Sequence, residues 1–259
     1  MKIETREIDI KRGIVQLTTL DERWYQVGKD YFPSSSWIAS YYPKGKQFEK
    51  WLMEKGLTES EEIKMTAGNR GSKVHQAIEM LLTCSKCHKP CVGKCTEAPK
   101  HVGQELKMDD KLMNQDGVME EISVEEWEAI MSFVGWYKKF NPEILQIERT
   151  VLNKKYGYAG TLDLKCIIDG VVSIVDYKTS SSIYPSHEIQ LSSYKHAEGN
   201  EDVEKTYILQ VGYKKNKDRF KFTEVEDKFD IFLHTRAIWD NENKDVSPKQ
   251  REYPLSLKL

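Results

Sequence analysis

The first part of the chain alternates apolar and polar positions in short stretches. The apolar positions of this alternation within residues 1–30 are Ile3, Ile8, Ile10, Ile14, Val15 and Leu17. A period of two is typical of strands, and Arg12 and Gly13 supply a turn between two of them. The pattern therefore predicts a small accessory sheet at the N-terminus.

Helical spacing follows this sheet. Residues 47–55 and 58–82 have the pattern of helices, and we expect the second helix to be interrupted around Gly68 and Gly71, since glycine is a weak helix former. Because these helices precede any long strand, the first third of the chain is predicted to be mostly helical after its strands.

A further helix is marked at both of its ends. Ser123 and Glu126 form a capping-box pattern at its start, and apolar residues then recur at helical spacing until Asn141 and Pro142. Periodicity is absent over residues 83–121, so this stretch is predicted to be an insertion that contributes no element to the core.

Period-two patterning and β-branched runs begin at residue 144. They predict three strands, then a helix, two more strands and a last helix, over residues 144–152, 158–168, 171–178, 187–197, 205–213, 219–225 and 227–239. The order helix, three strands, helix, strand indicates an α/β core.

This order also suggests how the chain is divided. We expect an N-terminal extension over residues 1–57, a core over residues 58–240 that contains the insertion, and a polar tail over residues 241–259.

Composition and charge narrow the class of protein. The 259 residues are 39% hydrophobic and 31% charged, which is typical of a globular chain and excludes disorder as the main state. Lys and Arg number 39 against 41 Asp and Glu, so a nucleic-acid partner would have to meet a local basic patch. No apolar run approaches the roughly 20 residues of a membrane span, and the start of the chain has no hydrophobic signal core, so we expect a cytoplasmic protein.

Four cysteines crowd into the insertion. They are Cys84, Cys87, Cys91 and Cys95, while Cys166 stands apart. Four thiolates at such spacing can close a tetrahedral structural zinc site, and in a reducing compartment this is favoured over disulfides. The lysines of the same stretch make it a local basic patch as well, which could touch a DNA backbone.

The pair Asp169 and Gly170 lies between two β-branched runs. This is a strong signal for a two-residue type I′ hairpin, and equal steps outward from the turn place Asp163 directly opposite Asp176. Lys178 is expected two residues further along the same face.

Two carboxylates that oppose each other at about 5 Å repel unless a cation or proton lies between them. Oxygen ligands favour Mg²⁺ or Mn²⁺, which points to phosphate chemistry, with Lys178 holding the nucleophile or neutralising charge. Glu148 on the preceding strand is a further acidic candidate. The alternative is a surface strand end with a solvated ion pair.

These residues carry a family resemblance. GTLD at residues 160–163, DYK at 176–178 and QLSSY at 190–194 resemble the motifs of the PD-(D/E)XK nuclease superfamily, in its RecB-like branch, and RGSKVH at 70–75 resembles the first helix of that branch. Leu162 stands where the superfamily has proline.

The resemblance implies a restriction-endonuclease-like core, with a central mixed β-sheet flanked by helices, and metal-dependent cleavage of DNA. It further implies that His75, Asp163, Asp176 and the main-chain carbonyl of Tyr177 are metal ligands and that Lys178 is the catalytic lysine. In some RecB-like nucleases four cysteines hold a [4Fe-4S] cluster, an alternative to zinc here.

Two more sets of residues are candidates for contacts with DNA. Gln190 and Tyr194 are four residues apart on a predicted helix, so they share one face and could contact a phosphate, a base or the catalytic strand, or only pack the helix. The densest run of cations is Lys214, Lys215, Lys217, Arg219 and Lys221, which could bind DNA or form a solvated turn.

The resulting hypothesis is a DNA exonuclease that acts in recombination, repair or phage DNA processing, with DNA and a recombination or helicase protein as partners. One alternative is a structure-specific endonuclease that uses the same site. A second is a catalytically inactive DNA-binding or scaffold protein. The chain contains no P-loop motif, so we expect no motor activity of its own.

Overall fold

The computed structural model describes the backbone of residues 4–9, and residues 13–18, 22–83, 103–246 and 248. The predicted zinc site at Cys84, Cys87, Cys91 and Cys95 lies outside these described residues, as does most of the predicted tail.

The N-terminal part forms the predicted accessory sheet. Four antiparallel strands lie in chain order, namely β1 (Glu4–Asp9), β2 (Ile14–Thr18), β3 (Arg23–Val27) and β4 (Asp30–Pro33). Gly13 adopts a positive φ of 61° before β2, as expected for the predicted turn.

Two helices connect this sheet to the core. In α1 (Ser35–Ser40), the Ser34 side chain caps the first turn by accepting a hydrogen bond from the backbone of Trp37. In α2 (Lys46–Leu82), Gly56 leaves the helical conformation with a φ of 71°.

The predicted interruption of α2 around Gly68 and Gly71 is wrong. Gly68 serves close packing instead of a break in the helix, since a Cβ there would lie 2.5 Å from the side-chain oxygen of Gln115. The missing side chain lets the loop that carries Gln115 approach the helix. At Gly71 a Cβ would make only an ordinary contact, 3.8 Å from the hydroxyl of Thr179.

The expectation that residues 83–121 contribute nothing to the core is also wrong for their second half. A short hairpin, β5 (Lys111–Met113) and β6 (Met119–Glu121), packs on α2, and Leu112 is buried in the main core. One apolar side chain in a polar stretch produces no periodicity, so the pattern did not indicate these strands. The predicted capping box is confirmed at the start of α3 (Val124–Phe140).

A mixed five-stranded sheet forms the centre of the molecule. Its strand order is β11-β10-β9-β8-β7, and β9 and β10 are parallel while the other neighbours are antiparallel. The strands are β7 (Glu143–Asn153), β8 (Tyr158–Ile168), β9 (Val171–Lys178), β10 (Lys205–Val211) and β11 (Phe220–Glu224). Helix α4 (Pro185–Lys195) links β9 to β10, and α5 (Phe229–Glu242) follows β11.

Helices cover both faces of this sheet. Buried residues of α2 and α3, such as Val74 and Phe133, pack against Val175 of β9. On the other face Leu191 of α4 packs against Ile174, the neighbour of Val175. Since adjacent strand residues point to opposite faces, this double burial explains the apolar run of β9.

The β8–β9 hairpin has the predicted turn. Asp169 and Gly170 both have positive φ, 51° and 81°, as a type I′ turn requires, and Ile168 pairs with Val171. None of the helices in the described part of the chain combines the length and apolar composition that a bilayer span requires.

Candidate metal centre

Strands β8 and β9 stop pairing one step before the predicted acidic pair. The last residues in register are Leu164 and Val175. Beyond them, the Asp163 carboxylate accepts a hydrogen bond of 2.7 Å from the backbone N–H of Tyr177. A side chain thus replaces the strand pairing, so Asp163 is not held opposite Asp176 by the ladder, and the two strands fork at this point.

Asp163 lies close to His75 from α2 and to Glu148 from β7. The Nδ1 atom of His75 is 3.3 Å from Asp163 Oδ1 and 3.8 Å from Glu148 Oε1. One ligand atom from each of these three residues lies within 4.8 Å of the other two, and this is the one such group among the residues that the structure describes.

Glu148 reaches this group through an unusual backbone conformation. Its φ is 45°, although it lies inside β7, where its neighbours Ile147 and Arg149 stay in register with β8. A left-handed residue other than glycine costs about 1 kcal/mol or more and is concentrated at functional sites. The strand pattern gives no sign of this conformation, so sequence reasoning could name Glu148 but not its orientation.

Asp176 and Lys178 form a second pair beside the fork. Lys178 Nζ lies 2.6 Å from Asp176 Oδ2, and this buried oxygen has no hydrogen-bond partner besides that cation. A carboxylate at this depth is costly unless a proton or cation compensates it, and here Lys178 supplies the compensating charge.

Burial and mutual repulsion perturb the acids in this region. Burial raises the pKa of Glu148 to about 7, and the charge of Asp163 adds to the effect. Burial likewise raises the pKa of Asp176 to about 6 against the opposing charge of Lys178. For Asp163, burial is outweighed by His75, Lys178 and the Tyr177 N–H, which hold the pKa below its ordinary value.

The orientation of His75 fits a metal ligand. Its Nε2 lies 3.2 Å from the main-chain carbonyl of Tyr177, which can only accept, so Nε2 carries a proton. Nδ1 then faces the carboxylates. Burial disfavours a charged imidazole, but Asp163 and Glu148 outweigh this and raise the pKa of His75 well above its ordinary value, so Nδ1 holds a proton that a cation could replace.

The spacing of these donors also fits a small cation. At a bond length of about 2.1 Å, ligands of one ion are separated by about 3 to 4 Å. The two separations from His75 Nδ1, 3.3 and 3.8 Å, are within this range, and the two carboxylate oxygens lie within 4.8 Å of each other. The Tyr177 carbonyl, also predicted as a ligand, lies 3.2 Å from His75 Nε2, and the Asp176 carboxylate is not part of the three-residue group.

Gln190 and Tyr194 form one unit on α4. Gln190 Nε2 donates a hydrogen bond of 2.6 Å to Tyr194 Oη. The Tyr194 ring lies over Gly160, where an added Cβ would approach it to 2.5 Å. Burial raises the pKa of the Tyr194 phenol, and Asp176 and Asp163 contribute, so the ring is within electrostatic reach of the acids.

The predicted cationic residues lie in and beside the turn between β10 and β11. Lys214 pairs with Glu125 at 3.2 Å and Arg219 with Glu128 at 2.5 Å, whereas Lys215, Lys217 and Lys221 are exposed. Gln210 pairs with both Lys178 and Lys221, so Lys221 lies on the same row two strands away, about 10 Å from Lys178.

The chain resembles two solved structures only weakly. No protein-family model and no curated protein matches the chain. SSO0001, whose crystal structure is known, shares 18% sequence identity with this chain, and the two structures have a TM-score of 0.30. The match covers 48% of this chain and 62% of SSO0001. A protein from Eubacterium rectale, provisionally described as an exonuclease, is 15% identical, with a TM-score of 0.32, over 56% of this chain and 67% of its own. Both TM-scores are too low to support an argument.

Proposed function

We propose that this protein is a metal-dependent DNA nuclease of the PD-(D/E)XK superfamily, in its RecB-like branch, and that it acts as an exonuclease in recombination, repair or phage DNA processing. The observation that carries the proposal is the convergence of His75, Glu148 and Asp163 within 4.8 Å, beside the buried pair of Asp176 and Lys178.

The donor set supports Mg²⁺ or Mn²⁺ as the cofactor. His75 Nδ1 and the carboxylates of Glu148 and Asp163 would hold the ion, and the Asp176 carboxylate, which pairs with Lys178, is an additional oxygen donor at the fork. When bound, such an ion polarises a phosphoryl oxygen and lowers the pKa of water.

The chain's own residues supply the other requirements of phosphodiester hydrolysis. Lys178 is charged, since Asp176 and Asp163 outweigh the effect of burial and raise its pKa, so its Nζ can hold a nucleophilic water or neutralise charge that develops on the phosphate. The Tyr177 N–H fixes Asp163, and the Tyr177 carbonyl fixes the His75 ring, so both donors are preorganised.

The proposal is tested by incubating end-labelled linear, circular and single-stranded DNA with the protein in Mg²⁺, Mn²⁺ or EDTA. We expect cleavage that requires a divalent ion and shortens linear DNA from an end while circular DNA persists. Cleavage of circular DNA would indicate an endonuclease, and binding without cleavage would indicate a scaffold protein, so either result contradicts the exonuclease.

A matched pair of variants ties the activity to the site. Asp163→Asn and Asp169→Asn make the same chemical change on one hairpin, but Asp169 lies in the turn, where asparagine is equally suited. We expect cleavage to be lost in the first and retained in the second. Full activity of Asp163→Asn would disprove the site.

The cysteine-rich segment remains a second proposal. We infer that Cys84, Cys87, Cys91 and Cys95 hold a structural zinc ion. Its support is their spacing, together with the convergence of the flanks, where Gln104 N–H donates to the Met80 carbonyl at 3.3 Å. Metal analysis of protein purified without air should give zinc; iron with labile sulfide and visible colour would identify a cluster instead.

A further inference from the structure

Glu125 lies between two cations that come from different parts of the fold. Its Oε2 is 3.1 Å from Arg70 Nη1, and its Oε1 is 3.2 Å from Lys214 Nζ. Arg70 belongs to α2, Glu125 to the first turn of α3, and Lys214 to the turn after β10. We call these three residues the Glu125 bridge.

The bridge borders the candidate metal centre. Arg70 Nη2 donates a hydrogen bond of 3.4 Å to the main-chain carbonyl of Thr179, the residue after Lys178. Arg70 also precedes His75 by five residues on α2, which is about 7.5 Å along the helix axis. A DNA strand carries one charge per about 3.4 Å of its axis, so this axial distance corresponds to about one or two nucleotides.

The position of the Glu125 carboxylate shows that an anion is stabilised there. Lys214 and then Arg70 overcome partial burial and lower the pKa of Glu125. One acid meets two cations, so the bridge keeps a net positive charge. The guanidinium of Arg70 suits the oxygens of a phosphate as well as those of a carboxylate.

The carboxylate can also be replaced. The side chain of Glu125 is 52% exposed and that of Lys214 is 62% exposed. Exposed ion pairs contribute little to stability, since water and salt screen them, so the contact with Lys214 is lost at small cost. The Arg70 side chain is 26% exposed and keeps an anionic partner when a phosphate replaces the carboxylate.

We propose that Arg70 and Lys214 bind a backbone phosphate of the DNA strand next to the cleaved bond, and that Glu125 occupies this phosphate position in the free protein. This inference rests on the proposed nuclease function and adds to it a substrate-binding site with a built-in competitor. The DNA affinity of the protein is then limited by its own acid.

The test measures the affinity of a short fluorescent linear DNA in EDTA over a range of salt concentrations, by anisotropy. We expect Arg70→Ala and Lys214→Ala each to weaken binding roughly threefold to tenfold and to reduce the salt slope, and the double variant to reduce the slope by about 0.9, the value for one phosphate contact. Glu125→Gln should bind about two- to fivefold more tightly, since two cations are released.

Glu224→Gln is the matched control. Glu224 forms an exposed ion pair with Lys205 at 2.9 Å, at the opposite end of β10 from Lys178, and its substitution changes the net charge equally. It should leave affinity and slope unchanged. Arg70→Lys, which keeps the charge, should restore most of the slope, and thermal melting of each variant confirms folding.

The outcomes separate the two proposals. Suppose that the wild-type protein cleaves DNA. If Glu125→Gln and Glu224→Gln then have the same affinity for DNA, or if Arg70→Ala keeps the wild-type salt slope, the phosphate-site inference is wrong and the nuclease proposal is unaffected. If wild-type protein neither binds nor cleaves DNA, both proposals fail.

Discussion

Two groups of charges include α2 residues that are only two positions apart, and they differ in how deeply their acids are buried. Lys73 Nζ meets three acceptors, Glu126 Oε1 at 2.9 Å, Glu120 Oε2 at 3.2 Å and the Glu121 carbonyl at 3.3 Å. An ammonium group has three protons, so every donor is used.

The group around His75 keeps its excess of acid away from water. Its three acids, Glu148, Asp163 and Asp176, outnumber the cations His75 and Lys178, and burial raises the pKa of Glu148 and Asp176. The second acid of the Lys73 group, Glu120, is instead 43% exposed. A cation with a full set of acceptors stabilises a fold, whereas a buried excess of acid can accommodate a further cation. We therefore expect the Lys73 group to be structural and the His75 group to be functional, and we call the latter the functional cluster.

Replacement of Lys178 should break the functional cluster with the largest effect. We expect Lys178→Met to reduce metal-dependent cleavage by about 10²- to 10³-fold, since charge on the phosphate loses its fixed cation, while the protein stays folded. Single-turnover cleavage and circular dichroism check this. Cleavage at the wild-type rate would remove Lys178 from the chemistry.

The same substitution at Lys73 should have the opposite consequence. Lys73→Met leaves Glu126 buried without its cation, so we expect a loss of about 3 to 5 kcal/mol in the free energy of unfolding, measured in urea, with cleavage retained by the protein that remains folded. Lys55→Met, which disrupts an exposed pair with Glu59, should cost less than about 1 kcal/mol. Equal costs for the two variants would contradict a structural role for Lys73.

Stability should depend on pH through the buried acids of the functional cluster. The pKa of Glu148 rises from 4.5 to about 7 and that of Asp176 from 3.8 to about 6 on folding. The folded protein then binds more protons than the unfolded chain in this window, so stability falls as pH rises through it.

In EDTA we expect the protein to be about 1 to 3 kcal/mol less stable at pH 8 than at pH 5 from these two groups, and Mg²⁺ to restore stability at pH 8. Urea unfolding at both pH values measures this. Glu148→Gln should flatten the dependence in EDTA. An identical pH profile with and without Mg²⁺ would argue against a cation at these acids.

The smallest effect concerns the thiol of Cys166, which lies on β8, the strand of Asp163, but outside the site. Burial raises the pKa of the Cys166 thiol to about 12. At pH 8 the thiol should therefore resist alkylation in the native protein and react only after unfolding, which peptide mass spectrometry detects. Rapid native labelling would show that β8 opens readily.

Much of the fold was predictable because local rules act over a few residues. The bounds predicted for the hairpin strands, residues 158–168 and 171–178, agree with β8 and β9. Asp169 and Gly170 determine the turn by their tolerance of positive φ, and Ser123 and Glu126 determine the start of α3 by reciprocal capping.

Other features depend on contacts between distant residues. In the sequence Gly68 predicts a break in α2, whereas in the structure it makes room for the side chain of Gln115 beside the helix. The end of the β8–β9 pairing depends on one hydrogen bond from Tyr177 to the Asp163 side chain, which no periodicity can indicate.

The amino-acid sequence by itself determined the strands, the turn and the acidic and basic residues that the hairpin carries, since side-chain alternation and backbone preferences are local properties. Only the tertiary structure decided that His75 from α2 and Glu148 from β7 meet Asp163, because that meeting requires the helix to pack on the sheet and a strand residue to adopt a left-handed conformation. The charged residues of the site could be named from the sequence, but only the folded structure showed which of them are buried together.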